Sequence, residues 1–295
     1  MLRGWLELIR PPNLFTVPGD ILAGVFLAVL DRDKLLFLPL LITVSLFLYT
    51  AGLILNDYCD RGLDMVERPK RPLPSGRVSP QSALAAALVL IGIALVLALG
   101  YPIRPAFWLA CGLVVLIFLY NGPGRKIPWL GFITMGLCRG GNVLLGASLG
   151  RNPFSGPVLA GAGVETMYIV SISVLACHEI EGSPGFWPGW LPLLSLFSFP
   201  FLFLTTGISV MGALAALIAA GWIFSILRHF DSHGQRSVSE MVGKLIRSLI
   251  LIQVALIALS IGRNHGHKGY LIMAMALCLM LLPVSGYMAG RFYGS

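Results

Sequence analysis

The sequence predicts an all-α, polytopic bundle of transmembrane helices, and three observations carry the prediction. Of 295 residues, 57% are apolar and only 12% charged, half the charged fraction of an ordinary soluble domain, about 25%. Mean hydropathy is +0.84. The apolar residues gather in nearly uncharged runs of about 20, the length that crosses a hydrocarbon core as a helix. Lys and Arg fall mainly in alternate gaps between these runs, as topology in a membrane requires.

Taken in order, the runs are Asn13–Leu30, Leu35–Asn56, Gln81–Tyr101, Pro105–Tyr120, Pro128–Leu149, Pro157–Cys177, Phe186–Leu204, Thr206–Leu227, Leu245–Ile261 and Gly269–Gly290. The seventh and eighth share one uncharged stretch, too long for a single crossing, and are divided on that ground. The first follows Arg10-Pro11-Pro12-Asn13 and lacks a small-residue cleavage site, so it is expected to be a retained span. No stretch reads as a soluble domain, and residues 1–295 are expected to form one unit. With the N-terminus in the cytoplasm, 14 of the 21 Lys and Arg fall on the cytoplasmic side, six on the other, and Arg139 lies within a span. Ten crossings put the C-terminus in the cytoplasm as well, with residues 57–80 beside it, in the inner membrane of a bacterium. The net charge of +8 is thereby assigned to cytoplasmic loops rather than to nucleic-acid binding. Five cysteines show neither CxxC pairs nor zinc spacing and read as small apolar fillers without disulfides. His229, His233, His265 and His267 lie in polar loops and are given no role.

The most informative segment is Asn56-Asp57-Tyr58-Cys59-Asp60-Arg61-Gly62-Leu63-Asp64, at the cytoplasmic end of the second run. Spacing of i, i+3, i+7 stacks Asp57, Asp60 and Asp64 on one helix face, with Asn56 one turn from Asp60. Three like charges near a membrane boundary repel, and desolvation raises the cost, so a cation is expected on them. Oxygen ligands without His or Cys suit Mg²⁺, which commonly takes one or two carboxylates plus phosphate oxygens. Cations set among prolines follow, from Glu67-Arg68-Pro69-Lys70-Arg71-Pro72 to Leu73-Pro74-Ser75-Gly76-Arg77. Proline fixes φ and is expected to hold this loop extended, so that Arg68, Lys70 and Arg71 meet phosphate oxygens. The competing reading is a topogenic basic loop beside a solvated acidic helix end.

Asn56-Asp57-x-x-Asp60-x-x-x-Asp64 followed by Arg71-Pro72-Leu73-Pro74-Ser75-Gly76 resembles the first signature of the UbiA superfamily of membrane prenyltransferases. Arg10-Pro11-x-Asn13 is similar to the family's opening, and Tyr120-Asn121 with Lys126 to its Tyr and Lys loop motif. The resemblance implies nine spans around a central, lipid-accessible cavity, against the ten counted above. It also implies Mg²⁺-dependent transfer of an isoprenyl group from a prenyl diphosphate to an aromatic or lipid-like acceptor. Asp60 and Asp64 would hold the metal with Asn56, supported by Asp57. Arg68, Lys70, Arg71 and Lys126 would bind the diphosphate, and Tyr120 would steer the allylic cation or hold the diphosphate. The family's second aspartate motif is replaced by Cys177-His178-Glu179-Ile180-Glu181-Gly182, where Glu179 and Glu181 stand for a second metal site. This segment and Met135-Gly136-Leu137-Cys138-Arg139-Gly140-x-Asn142 are similar to the superfamily's EboC branch.

Two positions keep two readings. Arg139, with Asn142 close by, either binds the diphosphate or an anionic acceptor, or forms a structural ion pair. Asn13 is either a cavity hydrogen bonder or a helix N-cap. Glycines such as Gly140, Gly141 and Gly146 are expected to bring helices close together. The rival functions are a non-catalytic binder of lipid diphosphates serving an export pathway, and an unrelated transporter, against which the absence of an internal repeat counts.

Overall fold

The computed structural model describes residues 2–100, 104–177, 186–207, 209–233 and 238–292. Fourteen α-helices run through the described residues: α1 Leu2–Ile9, α2 Pro11–Leu14, α3 Val17–Leu27, α4 Leu38–Glu67, α5 Pro80–Leu99, α6 Arg104–Asn121, α7 Pro123–Lys126, α8 Pro128–Ala147, α9 Gly156–Ala176, α10 Phe186–Leu194, α11 Phe199–Thr206, α12 Val210–His233, α13 Val238–Leu259 and α14 Lys268–Phe292. Nine helical stretches among them are long and apolar enough to cross a membrane, so the chain is an all-α integral membrane protein.

The first of the ten expected crossings, Asn13–Leu30, is broken. Pro18 lacks the N–H that would continue α2 into α3, and the chain kinks at Phe15 and Thr16. The 11 residues of α3 cover about 16 Å, half the hydrocarbon thickness. The segment still carries the chain between two ends of the bundle. At one end Arg10 Nη2 donates to Asp57 Oδ1 at 2.6 Å, and Ser285 Oγ donates to the Pro12 carbonyl at 2.7 Å. At the other, Leu30 N donates to Asn264 Oδ1 at 2.8 Å, and Leu30 pairs with Gly150. The latter half of α14 therefore returns to the end where the N-terminal segment lies. The division of the long seventh run falls at Gly207, whose φ of 80° is open to glycine at little cost.

Lipid gives apolar side chains no reason to leave it, so packing relies on small residues. Helix α5 shows this: Ala83, Ala87, Ala94 and Ala98 are buried against neighbours while Val89, Val96 and Leu99 face outward. Helix α13 is mostly apolar and buried without a break from Ser248 to Leu259, the pattern of a central helix. Gly24 on α3 and Gly146 on α8 allow the closest approach. A Cβ at Gly24 would strike the Val143 carbonyl oxygen, and one at Gly146 the Ile21 carbonyl oxygen. This contact sets Asp20 of α3 against Arg139 of α8.

Candidate functional site

A cavity of about 550 Å³ lies among α2, α4, α6, α8, α9 and α13. Its two ends are polar and the stretch between them is apolar. At one end stand Arg10, Asn56, Asp60, Asp64, Glu67, Arg68 and Arg71; Tyr49, Arg139 and Asn142 lie toward the other. From Tyr49 to Asp60 is eleven helical residues, about 16 Å at 1.5 Å per residue. Between them Gly52, Leu53, Leu113, Ile117, Ile169, Ile172 and Ile246 form apolar walls.

The acidic segment is helical, as its spacing predicts, because α4 continues to Glu67. Its carboxylates divide. Asp60 and Asp64, one turn apart, line the cavity. Asn56 Nδ2 donates to Asp60 Oδ2 at 2.6 Å. Arg71 Nη1 donates to both oxygens of Asp64, at 2.8 and 3.1 Å. Asp57 corrects the expectation of a supporting metal ligand. It is buried, is absent from the cavity wall, and sits 2.6 Å from Arg10 and 3.7 Å from Arg71. Two guanidiniums already serve it, so it fixes cations at the rim.

The cationic loop is not extended. Successive turns fold it: Arg71 N donates to the Arg68 carbonyl at 3.0 Å, Ser75 N to the Arg71 carbonyl at 3.0 Å, and Val78 N to the Pro72 carbonyl at 3.1 Å. The φ that proline fixes also suits turns, Gly76 supplies a φ of 71°, and Leu73 and Val78 are buried as anchors. This folding turns Arg68 and Arg71 inward and Lys70 outward. Lys70 is exposed and off the cavity wall, and its carbonyl accepts from Arg77 Nη2 at 2.6 Å. Arg77 also bonds Glu7 of α1 at 2.9 and 2.7 Å, so α1 straps the loop. Arg77 holds the Glu7 carboxyl below its ordinary range, chiefly through this hydrogen bond.

Tyr120 lines the cavity. Lys126, at the end of α7, is exposed and off its wall; the four-residue turn of α7 carries it outward. Glu179 and Glu181 lie outside the described residues, and among the described residues no three His, Cys, Asp or Glu side chains form a ready-made metal cage. Asp60, Asp64 and the Asn56 carbonyl oxygen nonetheless suit Mg²⁺, which takes few protein ligands and completes its shell with phosphate and water. Asn13 lines the cavity within α2 with its Oδ1 buried and unpartnered, whereas Arg10 holds the N-cap position. The cavity reading of Asn13 fits and the cap reading does not.

Arg139 lines the cavity and is also ion-paired: Nη1 lies 2.6 Å from Asp20 Oδ2, Nη2 donates to Thr16 Oγ1, and the guanidinium stands 4.8 Å over the Tyr49 ring. The sequence reading passed over Asp20, Thr16, Glu165 and Gln253. A signal existed, since a carboxylate inside an apolar run is itself a functional flag.

A profile of the UbiA prenyltransferase family matches residues 20–183. Digeranylgeranylglyceryl phosphate synthase of Methanopyrus kandleri is 35% identical over 159 residues, 52% of this chain and 55% of that protein. The enzyme of the same name from Thermococcus gammatolerans is 31% identical over 187 residues, 62% of this chain and 65% of that protein. The chain thus spans about half to two thirds of the length of the curated relatives it matches. A UbiA homolog from Archaeoglobus fulgidus, solved bound to GPP and Mg²⁺, superposes with a TM-score of 0.64 at 14% identity, covering 87% of this chain and 99% of the other. A digeranylgeranylglyceryl phosphate synthase structure gives 0.60 at 22% identity, covering 88% and 98%. At these identities the superpositions show the fold.

Proposed function

Since the chain belongs to the UbiA prenyltransferase family, we propose that it transfers an isoprenyl group, inside the membrane, from a prenyl diphosphate to a lipid-like or aromatic acceptor. The observation that carries this reading is one cavity with Asp60, Asp64, Arg68 and Arg71 at one end and apolar walls running inward from them. A prenyl diphosphate has the same polarity, a multiply charged head on an apolar chain. The lipid acceptor implied by the names of the relatives favours the lipid-like class. Residues 1–295 read as one domain, with the charged end of the cavity on the cytoplasmic side of the membrane, where the Lys and Arg excess lies.

In this reading Arg68 and Arg71 bind diphosphate oxygens, Arg71 leaving Asp64 to do so, and Arg10 adds a third cation at the rim. Asp60 and Asp64, with Asn56, would hold Mg²⁺, whose chemistry when bound is to neutralise charge growing on the leaving diphosphate. Leu53, Ile117, Ile169 and Ile172 take the chain and exclude water from the allylic cation. Tyr120 lies on the cavity wall near the end of α6, where its ring can face that cation. Asn13 Oδ1 lacks a hydrogen-bond donor and suits the hydroxyl of an acceptor. Glu179 and Glu181 are retained as a second acidic set on the strength of the sequence alone.

The test is transfer by purified full chain, with radiolabelled prenyl diphosphates of several lengths, glycerophosphate-lipid and aromatic acceptors, and Mg²⁺ or chelator. The expected outcome is a Mg²⁺-dependent prenylated lipid. Tight diphosphate binding with no transfer to any acceptor would instead assign the chain to a non-catalytic binder.

A further inference from the structure

Beside Arg139 lies a buried polar cluster that no step of the proposed transfer uses. Asp20 on α3, Glu165 on α9 and Gln253 on α13 are fully buried, and Arg139 and Asn142 on α8 nearly so. Asp20 is served as an anion. Its Oδ2 accepts from Arg139 Nη1 at 2.6 Å and from Asn142 Nδ2 at 3.3 Å, and its Oδ1 accepts from Gln253 Nε2 at 2.5 Å. Glu165 is the opposite case. Both its carboxyl oxygens are buried and neither receives a hydrogen from any donor in the structure. Helix α9 packs against both α3 and α8, which brings this carboxyl up to Asp20.

Two ionised carboxylates have only acceptor oxygens, so contact between them is repulsive unless a proton lies between them. The charged and titratable groups facing the pair are Arg139 on α8, Tyr49 on α4 beneath that guanidinium, and Cys278 on α14. Arg139 is the one cation among these described groups, and its charge is matched by Asp20. An ionised Glu165 would leave a net negative charge within a membrane-spanning bundle, an arrangement that intramembrane carboxyls avoid by pairing or by taking up a proton.

We propose that Asp20 and Glu165 form a buried proton-binding site, in which Glu165 holds one proton and donates it to the Asp20 carboxylate. The site stands whether or not the cavity takes a prenyl diphosphate. Its consequence is local: with the proton in place, the cluster carries no net charge beside the apolar wall, and Asp20 keeps its full charge for Arg139. Arg139 is thereby tied to α3 and cannot swing toward the charged rim. A sodium ion would supply the same single charge, and the test separates the two.

Infrared spectra of the purified full chain in lipid nanodiscs, in H₂O and D₂O at neutral pH, read the proton directly. The wild type is expected to show the carbonyl stretch of a protonated carboxylic acid, downshifted in D₂O and moved by isotopically labelled glutamate. Glu165→Gln, which keeps the size and donor capacity of the protonated acid, is expected to lose that band and keep wild-type thermal stability. If this variant does not accumulate, Asp20→Asn provides the second reading: Glu165 then ionises against Arg139 and the band again disappears. A wild-type spectrum without the band, or a band unchanged in both variants, overturns the proposal. So does a wild type without the band whose melting temperature rises in sodium over choline, which would assign the position to a metal cation.

Discussion

Among individual residues, the division of labour within the acidic segment of α4 is the sharpest result. Asp60 and Asp64 face the cavity, whereas Asp57 is held by Arg10 and Arg71. Asp60→Ala and Asp64→Ala are therefore expected to abolish the Mg²⁺-dependent part of prenyl-diphosphate binding and leave the fold intact. Asp57→Asn should instead weaken binding equally with and without Mg²⁺, since it loosens Arg10 and Arg71 without removing a ligand. Isothermal titration with Mg²⁺ and with chelator distinguishes these outcomes. The same physics makes Asp20 structural: removing one partner of a buried ion pair costs about 3–5 kcal/mol, so Asp20→Ala should lower the melting temperature sharply while Glu165→Gln does not. The cavity-facing pair was legible in the sequence because helical spacing alone stacks it. The turn of Asp57 away from the cavity was not, since it depends on Arg10, 47 residues away. Asp20 and Glu165 were visible as intramembrane carboxyls, but their pairing required the contact of α3, α8 and α9.

Among elements, α1 and the loop after α4 act together. Arg77 links Glu7, the Lys70 carbonyl and Ser75 Oγ, so the strap fixes the turn that aims Arg68 and Arg71 inward. Glu7→Gln is expected to cost about 0.2–1 kcal/mol, the range of exposed ion pairs, read as faster proteolysis at residues 68–78. Because Glu7 is held below its ordinary range by Arg77, its contribution is present above the unfolded value of about 4.3 and is lost as pH falls through the lower folded value. Proteolysis of the wild type should accelerate over that acid interval, and Glu7→Gln should show no such dependence. Prolines were read as stiffening the loop; they shape turns instead, because Gly76 and the buried Leu73 and Val78 pull the chain back on itself. Lys70 was assigned from the cationic loop and Lys126 from the motif, and local turns carry both outward. For Glu179 and Glu181 the expectation is kinetic. If they complete the acidic set, Glu179→Gln/Glu181→Gln lowers transfer by about 100-fold, roughly 2.7 kcal/mol, and unchanged turnover would remove them from the site.

For the whole molecule, the polarity of the cavity follows from the direction of the helices. Helix α4 delivers its acidic end, and α8 the Asp20 partners Arg139 and Asn142, to one cavity. Nine of the ten segments were legible as spans because lipid demands long apolar runs; the break at Pro18 divided the first into pieces too short for that rule. Accessibility of single cysteines placed at residues 3 and 291 should be equal from the side that labels residue 70, because Ser285 and Pro12 meet at that end. The central claim is that Asp60 and Asp64 make this cavity a Mg²⁺-dependent prenyl-diphosphate site. It is tested most directly by titrating the purified protein with geranyl diphosphate in Mg²⁺ and in chelator, alongside Asp60→Ala and Asp64→Ala. Tighter binding in Mg²⁺ than in chelator for the wild type, with that difference lost in both variants, is the predicted result; equal wild-type affinity in Mg²⁺ and chelator, or a wild-type Mg²⁺ response in either variant, would contradict it.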